Sequence, residues 1–291
     1  PYPSVFLLWW LSWVPRRLRP RVVADAYVSL WDAAFRDRRL SSEAGLASRI
    51  ARSLEARALR AADMVLVDTI ANRDWYISSL GLDPKRVRAI PLALDTPDAG
   101  APCLHHAPLK VLFIGTLVPL HGVGVIADAV GQLLQRGAEV EFTLVGDGQD
   151  RRALEDLMTD PRARRVTWIR EWQSATQLRK YMQEADVCLG VFGGKGKASR
   201  VLPFKVYMAL AAGKAVITQH GLSLPEEAAS PPIVGVEPDA DSLALAIEAL
   251  AADRDRLCEL SNEARKYYEA NLSPACIARA WCGLLESCAT D

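Results

Sequence analysis

Apolar and polar positions alternate in a regular rhythm after about residue 108 of this chain and less regularly before it. The opening run VFLLWWLSWV (5–14) is apolar on every face, and the basic PRRLRPR (15–21) follows it. The run is shorter than the roughly 20 residues that a helix needs to cross a bilayer. Positive charge follows the run, the reverse of a secretory signal. Two readings stand for it. One is a helix buried against neighbours; the other is an interfacial anchor in which Trp9, Trp10 and Trp13 sit beside Arg16, Arg17, Arg19 and Arg21. VVADAYVSL (22–30) reads as a strand in need of sheet partners, and a chain opening on Pro1 is expected to lack its natural N-terminus. Residues 43–62 carry apolar positions at helical spacing. MVLVD (64–68) is a strand, a helix opens near Thr69 and stops at Gly81, and RVRAI (86–90) is another strand. The proline-containing stretch 92–108 has no period and reads as an interdomain linker.

Beyond it, strands are expected at 109–115, 138–146, 165–169, 185–192, 214–218 and 232–236. Helices are expected at 122–136, 150–158, 174–183 and 204–212, with Asp150 as a candidate N-cap. Strands alternating with helices over short loops indicate a parallel sheet covered on both faces. Three further helices, 240–252, 254–270 and 274–288, form a tail.

Composition narrows the classes. The 291 residues suit about two domains. Thirty-five basic residues balance thirty-five acidic ones, which argues against a whole-surface attraction to nucleic acid. Cys103, Cys188, Cys258, Cys276, Cys282 and Cys288 lack paired zinc spacing and read as cytosolic thiols.

In sheets of this kind ligands bind at the carboxyl ends of the strands. GTLVPLHGVG (115–124) follows a strand: Gly115 permits a tight turn, Gly122 opens the next helix, and His121 could donate to a phosphate. VGDGQDRRAL (145–154) brackets Asp147 between Gly146 and Gly148. GGKGKASRVLPFKVYMALAAGKAVIT (193–218) joins a glycine loop bearing Lys195, Lys197 and Arg200 to a helix that starts near Phe204 with Lys205 in its first turn. Cations at the positive end of a helix fit a bound anion such as a diphosphate. Each loop also has a plain structural reading, as a turn, a capped turn or a solvated basic loop.

The order and spacing of the three loops resemble the C-terminal half of GT-B glycosyltransferases of family 4, the glycosyl transferases group 1. AADMVLVDTIANRDWYISSLGLDPKRVRAIPLALD (61–95) is similar to that family's segment closing the N-terminal domain. The resemblance implies two Rossmann-like doubly wound α/β domains. These are a partial acceptor-side domain over 1–95, a nucleotide-sugar domain over 96–270, and a C-terminal helix over 271–291 crossing back to the first. It implies sugar transfer from a nucleotide-diphosphate sugar to an acceptor hydroxyl with retention of configuration; the alternative is a non-catalytic nucleotide-sugar-binding or partner-binding remnant. Arg200 and Lys205 would stabilise the leaving diphosphate. Gly115, Thr116, His121, Gly122, Gly146, Asp147, Gly148, Phe204 and Met208 would line the donor. The chain departs from the family pattern where Arg200 and Met208 replace two glutamates, and where Thr116 and His121 replace a basic pair. No metal or cofactor is implied beyond the donor. A glycan or lipid-linked acceptor, no nucleic acid, and a cytoplasmic location with a candidate peripheral membrane contact through residues 5–21 complete the expectation.

Overall fold

The computed structural model describes residues 2–38, 40–94, 107–225 and 229–290. Its contacts form two units, Pro1–Pro91 with Arg200–Leu202 and Ser223–Ala228, and Leu92–Ser199 with Pro203–Leu222 and Ala229–Asp291. Most of the expected linker lies outside the described residues.

The first unit holds a parallel sheet of β1 (Val23–Asp25), β2 (Met64–Val67) and β3 (Val87–Ala89), with β2 in the middle. Every residue of β2 is buried, as a central strand covered on both faces requires. Helices α1 (Tyr2–Leu11), α2 (Leu46–Ala61) and α3 (Ile70–Leu80) surround it. The expected strand over 22–30 is cut to β1, and the chain winds into a π-helical turn at Asp32–Asp37. Glu55 of α2 accounts for the break. Its carboxylate accepts from the Leu30 amide at 2.8 Å and from the Ser29 hydroxyl and the Trp31 amide at 2.9 Å, so two amides leave the ladder. Burial raises the Glu55 pKa above the usual carboxylate value.

The run at 5–14 is helical as far as Leu11, and its side chains divide between core and surface. Val5 and Leu8 join Trp31, Leu59 and Val65 in the core, whereas Phe6, Leu7, Trp10 and Trp13 are exposed. The Arg57 guanidinium lies 3.8 Å from the Trp13 ring centroid, a cation–π contact. No helix among the described residues is long and apolar enough to cross a membrane. Helix α3 begins and ends as its sequence signals: the Thr69 hydroxyl accepts from the Asn72 amide, and Gly81 closes it with a left-handed φ of 63°.

The second unit holds six parallel strands, β4 (Leu109–Ile114), β5 (Val140–Val145), β6 (Val166–Ile169), β7 (Val187–Leu189), β8 (Ala215–Gln219) and β9 (Val234–Val236). Their order is β6-β5-β4-β7-β8-β9. The connecting helices are α4 (Val123–Gln135), α5 (Arg152–Met158), α6 (Ala175–Glu184) and α7 (Phe204–Ala211). The chain then continues through α8 (Ala240–Ala252), α9 (Arg254–Asn271) and α10 (Pro274–Thr290). Val111, Phe113, Phe142 and Leu144 pack with Ile126, Val130 and Leu133 of α4 and Ile247 of α8 in one core. Each such side chain stabilises the unit by about 1.5–3 kcal/mol.

Two local expectations are corrected. Helix α5 opens after Arg151, one residue beyond the expected N-cap Asp150, and Arg151 is itself helical and makes no capping side-chain bond. Nor do all the cysteines stay free: Cys188, Cys276 and Cys282 do, but Cys258 is disulfide-bonded.

Candidate functional site

Strand β4 comes first in the second sheet by sequence yet lies between β5 and β7, so the strand order reverses beside it. At such a reversal the loops leaving neighbouring strands run to opposite sides and open a crevice at the carboxyl edge. The glycine-bearing stretches after β4, β5 and β7 all leave from that edge.

Glycines interlock these loops. A Cβ on Gly146 would stand 2.0 Å from the Gly115 carbonyl oxygen, and one on Gly148 would stand 2.7 Å from that of Leu117. Gly122 likewise faces the Phe192 carbonyl at 2.3 Å, and Gly193 faces that of Leu120 at 2.4 Å. Backbone meets backbone at each point, so a side chain cannot be admitted by a rotamer change. Gly122 and Gly146 add a second demand, with φ of 65° and 131°.

Lys205 and His121 meet against this frame. A Cβ on Gly115 would lie 2.6 Å from Lys205 Nζ and 3.0 Å from His121 Nδ1, so both nitrogens crowd one backbone position. Lys205, on the first turn of α7, places Nζ 4.1 Å from the Phe113 ring centroid. The His121 ring meets the same phenyl edge-on at a centroid distance of 5.8 Å. Lys205 Nζ and His121 Nδ1 are buried and have no hydrogen-bond partner. Burial drives Lys205 well below the ordinary lysine pKa. Burial first, then the Lys205 charge, lowers His121 to about 3, with hydrogen bonding to the Thr116 backbone opposing. Lys205 Nζ, an unpaired donor close to a helix start, suits an oxyanion, and His121 Nδ1 can join it as a donor when the ring is protonated.

Asp147 does not face this pair as a free acid. It accepts from the Gly148 amide at 2.8 Å and pairs with Arg170 at 3.2 Å, and in that order these lower its pKa. Thr116 and Phe204 are exposed on the loop after β4 and at the start of α7, and Met208 is half-buried one turn further on.

Arg200 groups with the first unit, Lys205 with the second. Arg200 pairs with Asp32 at 2.7 Å, their side chains 13% and 4% exposed. Its guanidinium lies 4.4 Å from the Trp75 ring centroid, and Trp75 stacks on Trp31 at 6.0 Å. Thr69 donates its hydroxyl to the Arg200 carbonyl. Sequence reading missed Asp32, Trp75 and Glu55, which are scattered polar and aromatic residues with no shared spacing. Among the described residues no group of three or more His, Cys, Asp or Glu could hold a metal ion.

This is the architecture of the GT-B class. The chain is similar in fold to sucrose-phosphate synthase from Thermosynechococcus elongatus, with a TM-score of 0.74 at 19% identity over 97% of this chain and 71% of that one. It is also similar to HepE of Anabaena, a structure containing UDP and glucose, with a TM-score of 0.70 at 15% identity over 92% and 72%. Residues 108–253 match the glycosyl transferases group 1 family, and the chain belongs to it. A curated relative, the amylovoran biosynthesis glycosyltransferase AmsK of Erwinia amylovora, is 25% identical over 143 residues. The match covers 48% of this chain and 35% of that protein, so it spans about a third of the relative's length.

Proposed function

We propose that the chain is a glycosyltransferase that takes a sugar from a nucleotide-diphosphate donor and passes it to an acceptor hydroxyl on a glycan or lipid-linked glycan, with retention at the anomeric carbon. One observation carries the donor half of this reading: Lys205 Nζ and His121 Nδ1, buried and unpaired, share one position at the start of α7 beneath the interlocked loops. In a transferase the departing diphosphate gains negative charge as the glycosidic bond breaks, and preorganised donors aimed at that charge lower the barrier. Lys205 supplies a cation there and His121 a ring nitrogen, and Gly115 and Gly122 are proposed to line the donor beside them. Thr116, Gly146, Gly148, Phe204 and Met208 are proposed to line the donor around this centre, with Asp147 holding the loop after β5 through Arg170. Arg200, engaged with Asp32, is proposed to act by holding its own loop in place.

Family membership supports the transferase over a non-catalytic remnant. The UDP and glucose in the HepE structure, and the biosynthetic name of the Erwinia relative, support the donor and acceptor classes.

Calorimetric titration of UDP, GDP and ADP tests the reading. Replacing Lys205 by Met removes a charge-assisted contact worth about 1.5–3 kcal/mol, so affinity for the nucleotide that binds should fall about tenfold or more. An unchanged affinity in folded Lys205→Met protein would remove Lys205 from the site. The anomeric configuration of the transfer product, read by NMR, tests retention.

A further inference from the structure

The pair at Gly115 is arranged oddly for two groups meant to meet an anion. Neither is paired with a carboxylate among the described residues, and both are turned inward against Phe113. Lys205 is of intermediate burial as a residue, yet its Nζ is buried and without a hydrogen-bond partner. An amine in that place can stay charged only with the weak help of one phenyl face. A diphosphate at the start of α7 changes the balance, because it gives the amine a reason to swing outward and to carry a full charge.

We infer that Lys205 and His121 form a proton-coupled phosphate seat, in which the donor diphosphate is bound together with net uptake of a proton by this nitrogen pair. The inference rests on the donor reading above and adds what happens to the pair when the donor arrives. The groups facing it are few. His121 comes from the loop after β4, and Lys197, on the loop after β7, also disfavours charge on His121. Asp147, on the loop after β5, is engaged by Arg170. For Lys205 itself, burial is the sole cause of the depressed pKa. Burial therefore disfavours charge on the amine, burial and the neighbouring lysines disfavour it on the ring, and a diphosphate opposes both effects. The amine that gains the proton can then donate three N–H groups to phosphate oxygens, where the neutral amine offers fewer.

The consequence is a donor affinity that falls as pH rises, by up to about tenfold per pH unit once the free pair has lost its proton. The experiment is calorimetry of UDP binding to the whole chain at about pH 8, in Tris, HEPES and Tricine, whose ionisation enthalpies differ. At that pH the terminal phosphate of UDP, which titrates near about 6, is already ionised, so protons taken up go to the protein. The expected result is an observed enthalpy that varies linearly with buffer ionisation enthalpy, with a slope of up to about one proton taken up. Lys205→Arg, which keeps the charge at every working pH, should bind UDP with a reduced slope. A buffer-independent enthalpy in wild-type protein that binds UDP overturns the inference and leaves the donor reading in place. Absence of binding by UDP, GDP and ADP alike overturns the donor reading, and the inference falls with it.

Discussion

Single residues in this chain separate cleanly by what surrounds them. Gly146 has a φ of 131° and no room for a Cβ, whereas Gly131, inside α4, has nothing within 4 Å of the Cβ position. Gly146→Ala should therefore destabilise by on the order of 3 kcal/mol, combining backbone strain with overpacking. Gly131→Ala should stabilise by about 0.5–1 kcal/mol through helix propensity. Urea unfolding of both variants checks the pair, and a similar effect at the two sites would contradict the interlocked loops. His121 makes a different prediction. Its pKa lies near 3 in the folded chain against 6.5 unfolded, so below pH 6.5 the unfolded chain binds a proton that the folded chain refuses. Stability present above pH 6.5 is lost as pH falls toward 3, at up to about 1.4 kcal/mol per unit. Between pH 7 and 5, wild-type protein should lose about 2 kcal/mol more than His121→Asn, as read by urea midpoints.

At the scale of elements, α3 shows how far local signals reach. Thr69→Ala should cost about 1–2 kcal/mol, because it removes the α3 cap along with the bond to the Arg200 carbonyl. A change below a few tenths of a kcal/mol in denaturant unfolding would show that the cap is idle. Helices α2, α3, α4, α8 and α9 were legible because their apolar spacing agrees with their burial, and Thr69 and Gly81 mark the two ends of α3 chemically. The strands of the second sheet were legible for the same reason: a fully buried strand such as β7 is a short apolar run between loops. The failure at 22–30 has an equally physical cause. A strand is defined by where its amides donate, and the sequence of that stretch does not reveal that Leu30 and Trp31 donate to Glu55 from another helix. Within the candidate site, the glycine turns and Lys205 could be read from residue type and position after a strand. The closeness of His121 to Lys205 could not, since 83 intervening positions have to fold before the two nitrogens meet. The Arg200, Asp32 and Trp75 group was hidden in the same way, assembled from separate segments with no common spacing.

For the whole molecule, the two units differ in how much sheet they contain. The first has three strands of three or four residues, and the second has six strands over a larger core. Smaller folded units bury a smaller share of their apolar surface. Exposed Phe6, Leu7, Trp10 and Trp13 fit that pattern. Amide hydrogen exchange should therefore open the first unit at a lower free energy than β4, β5 and β7 of the second. Greater protection in β1–β3 than in β4–β7 would reverse the assignment. The glycine contacts among the loops after β4, β5 and β7 bear also on how the chain could be re-engineered. Because Gly146 abuts Gly115 and Gly122 abuts Phe192 through backbone, none of these loops has a shape of its own to exchange. A graft intended to change the donor would have to carry all three loops from one parent, as a single cassette.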